Sequence, residues 1–203
     1  LQRGSTRIML RDPGPESLLR WGMAVATRPV PGDFVAGDAT LLDHYLSVHA
    51  IEDVTSGAYR GHAGRLEAGR PGDLRAVTRQ LTLDQPLGGD SCFTAFHCSD
   101  LDEVLGALGA RGYRAALLEA GIASGRLSLA AFALGCGATG LTFFDEAVRQ
   151  FFGADSSCML VTSVGIPAYQ NAAGGAPGSA TELRHFDDLM LRLSRQLHGG
   201  GDF

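Results

Sequence analysis

Arg3, Ser5 and Arg7 occupy alternate positions in the opening segment LQRGSTRIML. In an extended chain, alternation puts three side chains on one side. Two guanidinium forks and a hydroxyl make a set that can wrap a phosphate. A second group of residues suits a different ligand chemistry. Gly135, Gly137 and Gly140 punctuate GCGATGLTFF, and the expectation is a glycine-spaced loop over 137–142. There Gly137, Gly140, Leu141 and Thr142 would turn backbone amides toward something flat or anionic. The plain alternatives are a solvated, charged N-terminus and a helix cap followed by a connector. Gly135-x-Gly137-x-x-Gly140 also matches a dinucleotide fingerprint by letter. It follows a helix instead of linking a strand to one, which is the wrong context.

Other reactive side chains point to the core. His97 and Cys98 adjoin on a β-rich run, so they face opposite ways and cannot easily share an ion. His49 alternates with Val48 in a similar run. Ser5, Ser124 and Ser157 lack a nucleophile-elbow context. Cys92, Cys98, Cys136 and Cys158 follow no metal or disulfide-framework spacing. They read as reduced thiols of a cytoplasmic protein, and no metal site is expected. Lysine is absent from the chain. That excludes Schiff-base chemistry and the Walker lysine, so any phosphate falls to arginine, hydroxyls and amides.

These groups need elements to position them. Between Tyr113 and Cys136 there is no proline, and only Arg114, Glu119 and Arg126 carry charge. Leu118, Ile122, Leu129, Ala133 and Cys136 recur at helical spacing, the stripe of a core helix or of one at a subunit interface. Small residues fill the other faces, which predicts a long helix buried on several sides, with Gly135 and Gly137 ending it. Upstream, Glu16–Thr27 reads as a helix and Tyr45–Ile51 as a strand. A hairpin turning at Gly61–Gly64 follows, then a short helix through Gln80 capped by Asp73. Cys92–Cys98 reads as a buried strand, and Ser99 with Asp102 as the capping box of the next helix. Downstream, Asp145 opens a short helix and Ser157–Gly165 forms a strand stopped by Pro167. The expected units are a domain over 1–167, a flexible linker over 168–180 and an amphipathic C-terminal helix over 181–203.

The totals fit this plan. A chain of 203 residues, 45% hydrophobic and 19% charged, suits one soluble α+β domain. Its net charge of −5 argues against nucleic acid as a partner. No unbroken apolar run reaches the ~18 residues of a membrane span, so no membrane partner is expected.

In combination, these pieces resemble the nitroreductase superfamily, and within it the azoline dehydrogenases of the streptolysin-S type. The resemblance runs through RGSTR at 3–7, SVHAIEDVTSGAYR at 47–60, RPGDLR at 70–75 and LDQP at 83–86. It continues in RGYRAALLEAG at 111–121, LAAFALGCGATGLTFFD at 129–145 and VGIP at 164–167. It implies a three-layer α+β fold: a mostly antiparallel sheet flanked by helices, a long buried central helix and a C-terminal arm. It also implies FMN, with Arg3, Ser5 and Arg7 on its phosphate and ribityl end and Gly140, Leu141 and Thr142 near its ring. The implied assembly is a homodimer, alone or within a larger biosynthetic assembly, acting on a small-molecule or peptide substrate. The implied reaction is dehydrogenation of an azoline to an azole, with no base assigned beyond His49 and Tyr113 as candidates by type. A reductase fed by NAD(P)H and acting on nitro or quinone compounds is the second enzyme reading. A non-catalytic subunit of the same fold is the third. It draws on Pro29-Val30-Pro31-Gly32, which lacks the family's loop serine, on Arg126 in the central helix, and on Phe143-Phe144, where the family has Gly-Phe.

Overall fold

The computed structural model describes residues 3–34, 39–62 and 65–170. Ser5–Asn171 make one compact unit, and Arg3 and Gly4 fall outside it. Its strands are β1 (Met9–Leu10), β2 (Asp43–Val48), β3 (Gly57–His62), β4 (Arg65–Pro71), β5 (Phe93–Ser99), β6 (Gly137–Leu141) and β7 (Ser157–Pro167). Its helices are α1 (Glu16–Ala26), α2 (Arg75–Leu81), α3 (Pro86–Asp90), α4 (Leu101–Leu108), α5 (Ala110–Ala133) and α6 (Asp145–Phe152).

All seven strands join one sheet in the order β1-β7-β5-β2-β3-β4, with β6 also on β7, and every pair of strands is antiparallel. β5 is the centre. Each of its residues is buried, as a strand covered on both faces requires. On one face Phe93 and Ala95 meet Leu18, Leu19 and Met23 of α1 and Leu127 and Ala131 of α5. On the other, Phe96 and Cys98 meet Leu81 of α2 and Val148 of α6. The result is helix, sheet, helix, the three-layer α+β architecture that the resemblance implies.

α5 forms where a long helix is expected, but the face it buries differs. Ala115, Ala116, Ala120, Ala123, Leu127 and Ala131 turn inward, whereas Leu118 is 54% and Leu129 60% exposed. An alanine face lets the helix axis approach the sheet closely, and contact over many small atoms replaces a few large side chains. Buried Glu119 accepts from the Thr40 hydroxyl and the Leu41 amide, tying 40–41 to the helix. α5 also has the length and mean hydropathy, 1.3, of a bilayer-crossing helix. Here its inner face is committed to the sheet.

Several boundaries move by one to three residues, and β2 ends at Val48 instead of Ile51, leaving His49 beyond it. The cap of α4 is Asp100, which accepts from the Glu103 amide. Ser99 closes β5 and sends its hydroxyl to the Leu41 carbonyl. The N-cap of α2 is Leu74, not Asp73, and its side chain caps nothing; Asp73, one residue earlier, accepts from the Arg75 amide. Pro167 does not stop β7 but ends it, pairing with Met9. Bonding continues past it, with the Ala168 amide on the Ile8 carbonyl. The expected C-terminal helix over 181–203, and residues 171–180 of the linker, lie outside the described residues.

Candidate functional site

The expected glycine loop is a strand. Gly135, at a φ of +73°, closes α5, and the chain enters β6 at once at Gly137. β6 pairs with β7 from Gly137↔Gly165 to Leu141↔Val161. Glycines at 135, 137 and 140, with small side chains between them, hide the two-residue rhythm of a strand. Most of the amides expected to be free are therefore in the ladder.

Segment 5–7 lies beside this strand. The Thr6 amide donates to the Ala138 carbonyl at 3.0 Å. Ser5 and Arg7 are exposed and Thr6 is buried, so the alternation read from the sequence holds with Thr6 as the inward residue. The Arg7 amide donates to the Tyr169 hydroxyl at 3.0 Å. The side chains of Ser5 and Arg7 make no hydrogen bond or ion pair among the described residues. Arg3 is exposed as well, in the separate group of residues, and is not located relative to β6.

Two glycines shape the strand in different ways. A Cβ on Gly137 would collide with the Thr6 hydroxyl, so glycine is what lets the two segments touch. That hydroxyl is buried and finds no partner among the described residues. Gly140 is exposed; a Cβ there would meet only the Val161 carbonyl, at 3.8 Å. The glycine leaves open space over the strand, where a flat group can approach the backbone. Just beyond, Gln85 fixes Thr142, donating to its carbonyl at 3.1 Å and pairing with its hydroxyl at 2.8 Å. Leu141 itself is buried in the core on the α6 side, so only its backbone can serve a ligand. Thr6 and Gln85 were not singled out from the sequence. The inward phase of the 5–7 alternation and the glutamine of LDQP were the signals for them.

The two candidate bases are not brought together. His49 is buried, with Nε2 3.1 Å from the Gly88 carbonyl and Nδ1 without a partner. Burial, helped by the Arg75 guanidinium, lowers its pKa to about 4. Its ring is neutral at pH 7, with the proton on Nε2 and a lone pair on Nδ1. Tyr113 stands exposed on the outer face of α5.

A hydroxyl without a partner among the described residues, an open glycine position on a strand, and an exposed arginine and serine at its end suit an elongated ligand. Its anionic end would meet Ser5 and Arg7, and its planar end β6. FMN has that shape and charge, and the residues present fit it.

No protein-family model matches the sequence, and no curated protein matches it. Solved structures do. A candidate nitroreductase from Anabaena variabilis superposes with a TM-score of 0.73 at 27% identity, over 82% of this chain and 37% of its own. A chain of the Escherichia coli microcin synthetase McbBCD complex, bound to truncated pro-MccB17, gives 0.66 at 17% identity, over 81% of this chain and 69% of its own. The NADPH:FMN oxidoreductase of Vibrio harveyi, complexed with NAD+, gives 0.60 at 13% identity, over 97% and 83%. The chain thus spans little more than a third of the Anabaena protein, and the two further likenesses are likenesses of fold. With its three-layer architecture and its long central helix, the chain has the fold of these nitroreductase-superfamily structures.

Proposed function

We propose that the chain is an FMN-dependent oxidoreductase that dehydrogenates azolines to azoles in a peptide-derived natural product. The observation that carries the cofactor is the bond from Thr6 to Ala138. It sets the exposed Ser5 and Arg7 beside the strand that holds the open Gly140. Ser5 and Arg7 would hold the phosphate by charge-assisted hydrogen bonds. Gly137 and Gly140 would admit the cofactor to the strand, and Leu141 and Thr142 would offer backbone groups, Thr142 steadied by Gln85. Bound flavin supplies the hydride acceptor. The chain's own part is to seat it, to keep water from one side and to handle the accompanying proton.

The likeness to a chain of the microcin synthetase, a complex bound to a pro-microcin peptide, favours a peptide substrate and work inside an assembly. The outer face of α5, with Leu118 and Leu129 exposed, would be covered by a second copy. A cytoplasmic location goes with this chemistry. A reductase fed by NAD(P)H is the second reading, favoured by the oxidoreductase neighbour bound to NAD+.

The full chain, loaded with FMN and kept anaerobic, separates the two. The first reading expects an azoline peptide to bleach the flavin and NADPH to leave it oxidised. Bleaching by NADPH alone would replace it with the second, and a chain that takes up no FMN would sink both.

A further inference from the structure

A file of buried polar groups runs across the sheet beneath α5, and the function above leaves it unused. His44 of β2 stands opposite His97 of β5 in the ladder. Their Nδ1 atoms are 2.8 Å apart, and His97 is wholly buried. His97 Nε2 lies 3.0 Å from the Thr162 hydroxyl of β7. That hydroxyl donates to Ser124 Oγ of α5 at 2.8 Å.

The bonding fixes where the protons sit. A hydroxyl has one proton to give. Thr162 gives its proton to Ser124, so it accepts from His97 Nε2–H. His97 Nδ1 is then a lone pair, and His44 Nδ1–H donates to it. Every proton points the same way, from His44 toward Ser124.

The file ends next to the candidate cofactor strand. Thr162 is the direct partner of Gly140 in the ladder, so their side-chain positions share one face of the sheet. At Gly140 that position is empty and open. Ser124, half-buried, therefore stands where the dry interior gives way to the space over Gly140. Packing alone does not call for these groups, since an apolar stripe of the same shape would hold α5 as well.

We propose that His44, His97, Thr162 and Ser124 form a proton relay for FMN bound beside Gly140, with Ser124 as its terminal donor. The relay rests on the cofactor reading above. One proton enters at the His44 ring and one leaves from Ser124 Oγ. Each group between takes one proton and gives one, so the charge of the file is unchanged and its hydrogen bonds end reversed. Reoxidation of the anionic reduced flavin by oxygen takes up one proton (FMNH− + O2 + H+ → FMN + H2O2), and the file as arranged delivers one. Run backwards, it carries one away. His44 and His97 act through the two hydroxyls and touch no ligand themselves.

Two measurements test this. Long-range proton–nitrogen NMR of the full chain without flavin reads the ring tautomers. The relay expects the His97 proton on Nε2 and the His44 proton on Nδ1; His97 protonated on Nδ1 overturns it. The second measurement uses the FMN-loaded full chain, photoreduced and then mixed with aerobic buffer. Ser124→Ala and Thr162→Val should keep the native spectrum of bound FMN and reoxidise about tenfold more slowly or worse. Added imidazole, a diffusible proton donor, should restore part of the Ser124→Ala rate and leave the native rate unchanged. Reoxidation at the native rate, or a slow rate that imidazole does not move, overturns the relay while the cofactor reading stands. A native chain that takes up no FMN overturns both. Ser124 lies half-exposed on a helix, so its substitution guards against loss of fold in Thr162→Val.

Discussion

Gly137 and Gly140 are three residues apart on one strand, yet they answer to different constraints. At Gly137 an added Cβ meets the Thr6 hydroxyl, while at Gly140 it meets open space. Gly137→Ala should therefore lower stability by about 1–3 kcal/mol, read as a fall in the urea midpoint, and weaken FMN binding by displacing segment 5–7. Gly140→Ala should leave the midpoint within about 0.5 kcal/mol of native and weaken FMN binding alone. Equal stability losses at the two positions would contradict the local geometry.

A second residue-scale consequence concerns acid. The folded-state pKa of His49 is held near 4 by burial, below its ordinary value in the unfolded chain. Between those two values the unfolded state binds more protons, so stability rises with pH. The contribution is complete above about pH 6.5 and is lost as pH falls toward 4. It amounts to roughly 3 kcal/mol over that window. His97, also held low by burial, acts in the same direction. His49→Gln, which keeps a donor for the Gly88 carbonyl, should flatten the slope of stability against pH by about one proton. An unchanged slope would show that His49 already titrates normally in the folded protein.

At the scale of elements, α5 shows what the sequence could and could not reveal. Its existence and extent were legible from a long run without proline and with few charges. Its orientation was not, because large apolar residues at helical spacing and alanines at helical spacing made two competing stripes. Proximity to the sheet decided between them in favour of the small one. The same reasoning applies to β6. The helix stop at Gly135 was legible, whereas the strand after it was hidden by glycines that carry no side-chain alternation. The buried strand β5 was found by composition, and the exposed pair Ser5 and Arg7 by alternation. Thr6, their inward neighbour, was missed. The orientation of α5 can be checked by substitution. Leu127, fully buried, should cost about 2–5 kcal/mol on truncation to Ala. Leu129→Ala should cost less than about 1 kcal/mol in a monomer. The reverse order would restore the stripe first expected from the sequence.

At the scale of the whole molecule, the exposed side of α5 is too apolar to be idle. Tyr113, Leu117, Leu118, Leu129 and Phe132 are all exposed along it, and a patch of this kind marks an association surface. Covered by a second copy, the face explains why a helix of this hydropathy belongs to a sheet protein. Replacing Leu118 and Leu129 together by Ser should shift the sedimenting mass from dimer to monomer without loss of helical signal. A native chain that is already monomeric would remove the dimer.

The cofactor's place across the molecule is tested most directly by comparing FMN with riboflavin, which lacks the phosphate. In fluorescence titrations of the full chain, FMN should bind at least about tenfold more tightly than riboflavin, the contribution of an arginine–phosphate pair. Arg7→Ala should abolish that preference while leaving the urea midpoint unchanged. Equal affinities for the two flavins in the native chain, or an undiminished preference in Arg7→Ala, would contradict a phosphate held at the N-terminal segment beside β6.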